Sequence, residues 1–265
     1  MKAVILAAGV SRRLRPLTSS LPKCLLPVRD HTILDHQMLA LKSVGISEAC
    51  VVLGYRREQI LEHLRAQHPD MRITPVINHD FFDTNTAHSM WLARGFMACG
   101  DVVCLNGDVL FPPRLLQRVV EADHAGSLAV ETKRCGEEEV KVTCDDAQRI
   151  VRIGKRVSPS EARGEFIGVA RLRGEFLKKF VRALDLLVVA GHADAYFEAA
   201  MDQMLDDVAG HAVDVTELPS IEIDFLEDYE RARREVIARF EPARVASTTN
   251  SANVARNEPE PPRVR

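Results

Sequence analysis

The sequence lacks the features that would place a protein in a membrane, on nucleic acid or outside the cell. No run of about 18 apolar residues is present, and the apolar start at Ala3 to Ala8 is too short for a secretory leader and leads into arginines. The formal net charge is −3, so no strong field of either sign would recruit nucleic acid or an anionic membrane. We therefore expect a cytoplasmic protein without a membrane or nucleic acid partner.

Cysteine and histidine are present, but not in the patterns of a metal site or a disulfide framework. The six cysteines contain no C-x-x-C pair, and the nine histidines form neither H-x-x-x-H nor H-E-x-x-H. Several cysteines lie in apolar runs, which is typical of small core residues rather than of nucleophiles. The sequence therefore indicates neither a zinc site nor disulfide bonds.

The first 27 residues combine an apolar segment, a loop of small residues and a cluster of cations. Ala7, Ala8 and Gly9 carry little side-chain bulk, so backbone amides in this loop can approach phosphate oxygens. Three arginines between positions 12 and 15, followed by Lys23, would neutralise the charge of departing pyrophosphate. An ordinary strand followed by a basic loop is the alternative, but the pattern favours a nucleotide-binding site.

This stretch resembles the signature of the nucleotidyltransferase family that activates sugar phosphates and phosphocholine, L-A-A-G-x-G-[ST]-R-L-x-P-L-T followed by P-K. The matching residues are Leu6, Ala7, Ala8, Gly9, Arg13, Leu14, Pro16, Leu17, Thr18, Pro22 and Lys23. Ser11 stands where the family has its second glycine, and Arg12 where Ser or Thr is usual. The resemblance implies nucleotide binding by Leu6, Ala7, Ala8, Gly9, Val10, Ser11, Arg12, Arg13 and Lys23, with Arg13 and Lys23 also catalytic.

The alternation of β-branched runs with segments of helical period predicts an α/β fold, a Rossmann-like, mostly parallel sheet flanked by helices. After about residue 133 shorter strands predict a small antiparallel insertion near the active site. The predicted strands are Lys2–Leu6, Ala49–Leu53, Arg72–Val76, Val102–Leu105, Leu128–Thr132, Glu139–Cys144, Ile150–Ile153 and Glu165–Leu172. The predicted helices are Thr32–Val44, Arg57–Gln67, Thr86–Met97, one opened by Pro112 and Pro113, Gly174–Val189, Ala195–Val208 and Leu226–Phe240.

Two domain-level expectations follow from composition. Residues 1–240 hold the apolar periodicity and should form one nucleotidyltransferase domain. Residues 241–265 are rich in Pro, Ser, Thr, Asn, Arg and Glu, which predicts a disordered tail because little apolar area is available to offset ordering.

Carboxylates in two distant segments are candidate metal ligands. Asp108 follows an apolar strand and Gly107, at the edge of the sheet where ligands collect in open α/β folds. Glu222 and Asp224 alternate, so they face the same side of a short extended segment. The alternatives are a helix-capping Asp108 and a solvated turn at 222–224. In the family that the chain resembles, residues at the positions of Asp108 and Asp224 hold Mg²⁺, whose preferred ligands are hard oxygens.

The segment from Glu222 to Tyr229 resembles the E-I-D-x-x-x-D-Y segment of bacterial phosphocholine cytidylyltransferases. A second resemblance to phosphocholine and phosphonate cytidylyltransferases is the T-N-x-x-S-[LM]-[WY]-L pattern, which Thr84, Asn85, Ser89, Trp91 and Leu92 match. Short polar side chains opening a helix can bind a pyrimidine or ribose, or can act only as a cap. The added nucleotide-binding candidates are Thr84, Asn85, Ser89, Asn106 and Gly107.

The motifs do not select a single acceptor, which is the second substrate that would receive the nucleotidyl group. Candidate acceptor-binding residues are Lys141, Lys155, Glu165, Phe166, Tyr196 and Phe197, the two lysines because an ammonium suits a phosphate or phosphonate dianion. Choline would require an aromatic cage, for which the few aromatics include Trp91, Phe166, Tyr196 and Phe197. A primary amine would instead prefer a carboxylate such as Glu165, Asp194 or Glu198, and a hydroxyalkylphosphonate would need neither.

The resemblance implies a Mg²⁺-dependent cytidylyltransferase in which a phosphomonoester or phosphonate oxygen attacks the α-phosphorus of CTP and displaces pyrophosphate. Arg13, Lys23 and Asp108 would be its catalytic residues, and charge stabilisation with positioning would supply the rate. A sugar-1-phosphate nucleotidyltransferase using UTP, GTP or dTTP is the first alternative. A catalytically silent regulatory relative is the second. Homodimer formation is compatible with the sequence.

Overall fold

A computed structural model describes residues 1–240, and the predicted tail at 241–265 lies outside the described residues. The strands are β1 (Lys2–Ala7), β2 (Pro27–Val28), β3 (His31–Thr32), β4 (Glu48–Leu53), β5 (Arg72–Ile77), β6 (Val102–Asn106), β7 (Val109–Leu110), β8 (Gly126–Glu131), β9 (Lys141–Cys144), β10 (Ile150–Gly154), β11 (Gly164–Leu172), β12 (Gly210–Asp214) and β13 (Ile221–Glu222). The helices are α1 (Ile33–Ser43), α2 (Arg57–Gln67), α3 (Thr86–Leu92), α4 (Arg94–Met97), α5 (Pro113–Glu121), α6 (Gly174–Val189), α7 (Glu198–Met204) and α8 (Leu226–Arg231).

The central sheet has the order β10-β9-β11-β6-β1-β4-β5, with β8 beside β11 and β12 beside β8. Strands β6, β1, β4 and β5 are mutually parallel. Strand β11 joins them antiparallel to β6 and continues into the antiparallel β9-β10 hairpin. The predicted α/β class and antiparallel insertion are confirmed, and the insertion extends the central sheet.

Helices cover both faces of the sheet. Successive side chains of β1 point to opposite faces and therefore enter different cores. Val4 and Leu6 belong to a core that includes residues of α3, α6 and α7. Ala3 and Ile5 belong to a second core that includes residues of α1, α2 and α5. The sheet is therefore buried on both faces, as the continuous apolar strand sequences predict.

All eight predicted strands are present, with ends shifted by two residues or fewer, and α2 and α6 begin and end where predicted. Helix α1 lacks one predicted residue at each end, and three other predicted helices depart further from the prediction. The 86–97 helix divides at Ala93, whose amide bonds to the carbonyl of Met90 three residues earlier and tightens the last turn. The 195–208 helix begins only at Glu198, since the amide of Phe197 donates to the Thr86 hydroxyl instead. The last helix passes into a π turn at Ala232–Val236.

The segment after β12 returns to the carboxyl edge of the sheet. Strand β13 pairs with β7, and the amide of Ile223 donates to the Asp108 carbonyl at 3.1 Å. Beyond it, Tyr229 of α8 donates its hydroxyl to the carbonyl of Pro27 at 2.7 Å. These bonds fix residues 222–224 beside the turn that follows β6. No helix among residues 1–240 has the length and apolar character needed to cross a membrane.

Candidate active site

A cleft of about 330 Å³ opens at the carboxyl end of β1 and β6. It collects most of the site residues that the sequence predicts, from segments far apart along the chain. Those lining it are Leu6, Ala8, Gly9, Ser11, Arg13, Lys23, Thr84, Asn85, Ser89, Asn106, Gly107, Asp108, Lys155, Phe166, Tyr196, Glu222 and Asp224. Ala7 lines a small recess against the same loop.

The loop after β1 presents free backbone donors. Within residues 1–240 the amides of Gly9, Val10 and Ser11 form no hydrogen bond, and a side chain at Gly9 would meet no protein atom within 4 Å. Ser11 adopts a left-handed conformation with φ 51°, which explains why the family signature has glycine at this position. The Thr18 hydroxyl donates to the Ser11 carbonyl at 2.8 Å and holds the loop in this path.

Gly107 brings the acidic turn against the phosphate loop. Its amide donates to the Leu6 carbonyl at 3.0 Å, and a Cβ at this position would lie 2.4 Å from the same oxygen. Any larger residue would push the turn away from β1. Asp108, the next residue, therefore lies directly beside the strand that carries the loop.

Lys23 joins the two aspartates. Its Nζ lies 2.9 Å from Asp108 Oδ2 and 2.7 Å from Asp224 Oδ1, while Arg13 Nη1 is 3.8 Å from Asp224 Oδ2. Burial opposes the charged ammonium, but the two carboxylates outweigh burial and raise the pKa of Lys23. Burial likewise opposes ionisation of Asp224, and the neighbouring Lys23 lowers its pKa. The predicted acidic pair and lysine form one charged cluster.

Three carboxylates of the cleft lie close enough together to share one cation. One oxygen from each of Asp108, Glu222 and Asp224 lies within 4.8 Å of the others, and Asp108 Oδ1 is buried without a hydrogen-bond partner among residues 1–240. Burial of its carboxylate and then the charges of the two aspartates raise the pKa of Glu222, because three carboxylates repel one another. These residues fit a hard cation, which would compete with the Lys23 ammonium for Asp108 and Asp224.

The segment from Thr84 to Ser89 forms one wall of the cleft. Asn85 caps α3 by accepting the Thr86 amide at 2.8 Å. The side-chain amide of Asn78, at the end of β5, donates to the hydroxyls of both Thr84 and Ser89 at 3.1 Å. Asn85 is therefore a cap, as the alternative interpretation held, while it also faces the cleft.

Glu198 closes the cleft on the side of α7. Only 2% of this residue is exposed, and its Oε2 is buried without a hydrogen-bond partner in the described part of the chain. Burial raises the pKa of Glu198 to about 7. Nearby, Lys155 holds its Nζ 4.7 Å from the ring centre of Tyr196. A buried carboxyl group thus faces a cavity that also contains cationic and aromatic side chains.

Several predicted residues lie elsewhere. The buried Lys141 does not line the cleft, because its ammonium donates to the carbonyls of Gly136, Glu137 and Glu139. Phe197 is 1% exposed and packs edge-on against Phe166 and Phe180, so it is a core residue. Neither side chain reaches the cleft, and the expectation that they contact the acceptor is not supported by the structure.

Three further side chains are displaced from the predicted site. Glu165 pairs with Lys133 at 2.5 Å in an adjoining groove that shares Glu222 and Asp224 with the cleft. Arg12 stacks its guanidinium 5.8 Å from the Phe82 ring, outside the cleft. Val10 belongs to the loop but does not line the cavity. The additional lining residues that the sequence did not indicate are Asn78, Phe81, Thr86, Glu138 and Val140.

A comparison with models of protein families shows the family to which the chain belongs. The model of the nucleotidyl transferase family matches residues 2–142, more than half of the 265-residue chain. The chain belongs to this family. The match covers the phosphate loop, Lys23 and the turn that carries Asp108, and it confirms the resemblance drawn from the amino-terminal motif.

The curated relatives of the chain include proteins named for cytidylyl transfer or for CMP-linked products. The chain is 40% identical over 129 residues, 49% of its length, to CMP-5'-(3-aminopropyl)phosphonate synthase of Streptomyces rubellomurinus, and the alignment spans 20% of that relative. It is 27% identical over 202 residues, 71% of its length and 79% of the relative, to CTP:phosphoglutamine cytidylyltransferase of Campylobacter jejuni. The solved CTP:phosphocholine cytidylyltransferase of Streptococcus pneumoniae has the same fold, with a TM-score of 0.72 and 23% identity over 88% of this chain and 97% of that one.

Proposed function

We propose that this chain is a CTP-dependent cytidylyltransferase that joins CMP to a small phosphonate or phosphomonoester bearing a primary amine, with release of pyrophosphate. The observation that supports an amine-bearing acceptor is the buried carboxyl group of Glu198, whose Oε2 has no hydrogen-bond partner among residues 1–240, in the same cleft as the loop after β1. The similarity to CTP:phosphoglutamine cytidylyltransferase and to a relative named as a CMP-phosphonate synthase supports CTP as the nucleotide.

The phosphate end of the cleft supplies charge stabilisation. The free amides of Gly9, Val10 and Ser11, together with Arg13, would bind the pyrophosphate as negative charge develops on it. Lys23 would bind phosphate oxygens between nucleotide and acceptor. An oxygen of the acceptor attacks the α-phosphorus, the bond to the bridging oxygen breaks, and pyrophosphate takes the electron pair.

A magnesium ion fits the acidic side of the same cleft. Asp108 and Asp224 would hold it, with Glu222 beside them, and when bound it would neutralise charge on the nucleotide phosphates. Lys23, released from one of the aspartates, would then be available for the phosphates. The protein's own contribution is to hold these groups in place before the reaction.

Glu198 would bind the end of the acceptor that is remote from its phosphorus atom. An unpaired buried carboxylate costs free energy, and a bound ammonium group offsets this cost by completing an ion pair. Because the pKa of Glu198 is raised to about 7, an approaching ammonium would draw it into the charged form near neutral pH. A primary ammonium provides three donors for this carboxylate, whereas an acceptor with a hydroxyl provides one.

The cleft offers a poor cage for a quaternary ammonium. Of the four aromatic residues considered for choline, Phe197 is in the core and Trp91 donates its indole N–H to Asp185 at 2.8 Å. The Lys155 ammonium lies over one face of the Tyr196 ring, and Phe166 lines the cleft but is 3% exposed and packs edge-on against Phe197. A choline cage requires several open aromatic faces, so this arrangement favours a primary amine.

The test measures pyrophosphate release with CTP, UTP, GTP and dTTP against five acceptors: 2-aminoethylphosphonate, 3-aminopropylphosphonate, phosphocholine, a hydroxyalkylphosphonate and a sugar 1-phosphate. We expect the highest kcat/KM with CTP and an aminoalkylphosphonate. In Glu198→Gln the preference for the amine over the hydroxyl acceptor should fall at least tenfold, while the nucleotide KM stays within about twofold. Preferred turnover of a sugar 1-phosphate with another nucleotide would overturn the proposal, and so would an amine preference unchanged in the variant.

A further inference from the structure

Two histidines and an aspartate converge outside the cleft, between α1 and α2. The Nε2 atoms of His63 and His68 each lie 2.7 Å from Asp35 Oδ1. Ligand atoms of the three residues lie within 4.8 Å of one another. None of these side chains lines the cleft, and the function proposed above does not use them.

The local structure explains why the three groups meet. Asp35 lies in the first turn of α1, where its Oδ2 accepts the Thr32 amide at 2.9 Å and completes a capping box. This bond directs Oδ1 towards α2. His63 lies in the last turns of α2, and His68 follows its end with a φ of −132°, so the non-helical backbone brings the second ring to the same side. The spacing of five residues therefore differs from the familiar H-x-x-x-H pattern of one helix face.

Burial makes this an enclosed cluster with one open side. Asp35 and His68 have side-chain exposures of 10% and 6%, whereas His63 keeps 21% of its side chain exposed. Burial opposes ionisation of Asp35, but hydrogen bonds from His68, Thr32 and His63 outweigh it and lower its pKa, so the carboxylate is charged at neutral pH. One anionic oxygen and two imidazole nitrogens therefore surround a position that solvent can reach beside His63.

We infer that Asp35, His63 and His68 form a transition-metal site that binds Zn²⁺, separate from the carboxylate cluster in the cleft. Two imidazole nitrogens and one carboxylate oxygen are a donor set that suits zinc, with solvent as the fourth ligand. A bound ion would connect the start of α1 to the end of α2 and would stabilise the fold by mass action.

Lys42 gives the inferred zinc site a testable feature, because its ammonium contacts the second ring nitrogen of His68. Without metal, its Nζ lies 3.3 Å from His68 Nδ1 and 2.6 Å from Asp70 Oδ1. Donation from Lys42 to Nδ1 keeps the His68 proton on Nε2, where it bonds to Asp35. Metal binding at Nε2 moves that proton to Nδ1, which then faces the ammonium, so Lys42 must withdraw to Asp70. The ion and the Lys42 contact with His68 therefore compete.

The experiment is titration of chelator-treated protein with Zn²⁺ by calorimetry, and with Co²⁺ by visible absorption, both in excess Mg²⁺. We expect one zinc per chain, a tetrahedral Co²⁺ spectrum and a higher thermal midpoint with zinc. His63→Gln and His68→Gln should weaken binding at least tenfold, while the exposed control His192→Gln should leave the affinity unchanged. Lys42→Met keeps all three ligands and should bind zinc severalfold more tightly.

The competing interpretation is a hydrogen-bonded cluster that simply joins two helices. It predicts zinc affinity equal in the wild type and in His68→Gln, or an octahedral Co²⁺ spectrum from oxygen ligands, and either result would overturn the inference. Because Lys42→Met is predicted to move affinity in the direction opposite to the histidine variants, a folding defect in those variants would not imitate the expected pattern. Weaker zinc binding in Lys42→Met would also overturn it.

Discussion

Glu198→Gln provides a quantitative test because it should make the protein more stable and at the same time impair its function. Glu198 is 2% exposed, and its Oε2 has no hydrogen-bond partner among residues 1–240. Buried carboxyl groups with raised pKa values cluster at functional sites. Glutamine keeps the shape of the side chain and removes its ionisation.

The size of the expected stability change follows from the linkage between protonation and folding. Burial raises the pKa of Glu198 from 4.5 to about 7, and each unit corresponds to about 1.36 kcal/mol. Between these values the folded state holds more protons than the unfolded chain, so stability falls as pH rises and then levels off above about 7. The 2.5-unit difference gives a cost of the order of 3 kcal/mol at pH 8.5 and little at pH 4.5.

The assay is urea denaturation of wild type and Glu198→Gln at pH 5 and pH 8.5, without ligands. We expect the variant to gain about 2–3 kcal/mol relative to wild type between the two conditions. The matched control Glu62→Gln, at an exposed position of α2, should show no such difference. A stability difference independent of pH, or a variant less stable than wild type at pH 8.5, would refute the assignment of a buried, unpaired carboxylate.

Four further substitutions test other parts of the site. Asp108→Asn should lower kcat by at least about 100-fold with the fold retained by circular dichroism, and near-normal turnover would contradict its role. Ser11→Gly relieves a left-handed backbone but loosens the unfolded chain, so stability should rise by about 0–1 kcal/mol, and a clear loss would contradict the strain at this residue. Lys141→Met should destabilise the fold by about 2–4 kcal/mol because three carbonyls lose a charged donor. Lys155→Met should instead raise the KM for the acceptor with little change in stability. The reverse pattern would contradict the placement of the two lysines.

The sequence predicts the elements of this fold well because apolar periodicity follows burial directly. Eight of the nine strands of the central sheet lie where β-branched runs place them, whereas β12 (Gly210–Asp214) is not predicted, and α6 matches its apolar repeat from Gly174 to Val189. The short strands β7 and β13 are not predicted, since two residues carry no periodicity. Their pairing depends on the return of the chain from residue 210 onwards, and this return places Asp224 beside Asp108.

The residues of the site likewise divide into those that the sequence predicts and those that it does not. The phosphate loop and acidic turn are recognisable because backbone approach requires small residues at fixed spacing. Lys141 and Lys155 look equivalent in the sequence, but Lys141 is buried under three carbonyls and Lys155 faces the cleft. Asn78, which holds the hydroxyls of Thr84 and Ser89 in the wall of the cleft, is an isolated polar residue after a strand and gives no signal without the fold.

The most direct test of the proposed activity is identification of the product by ³¹P NMR. The protein would be incubated with CTP, Mg²⁺ and 3-aminopropylphosphonate, with Asp108→Asn as the matched control. We predict a phosphonate–phosphate anhydride signal pair accompanied by equimolar pyrophosphate in the wild type, at least about 100-fold slower in the variant. Intact CTP after prolonged incubation with every amine-bearing acceptor would contradict the proposal, and so would equal product formation by the variant.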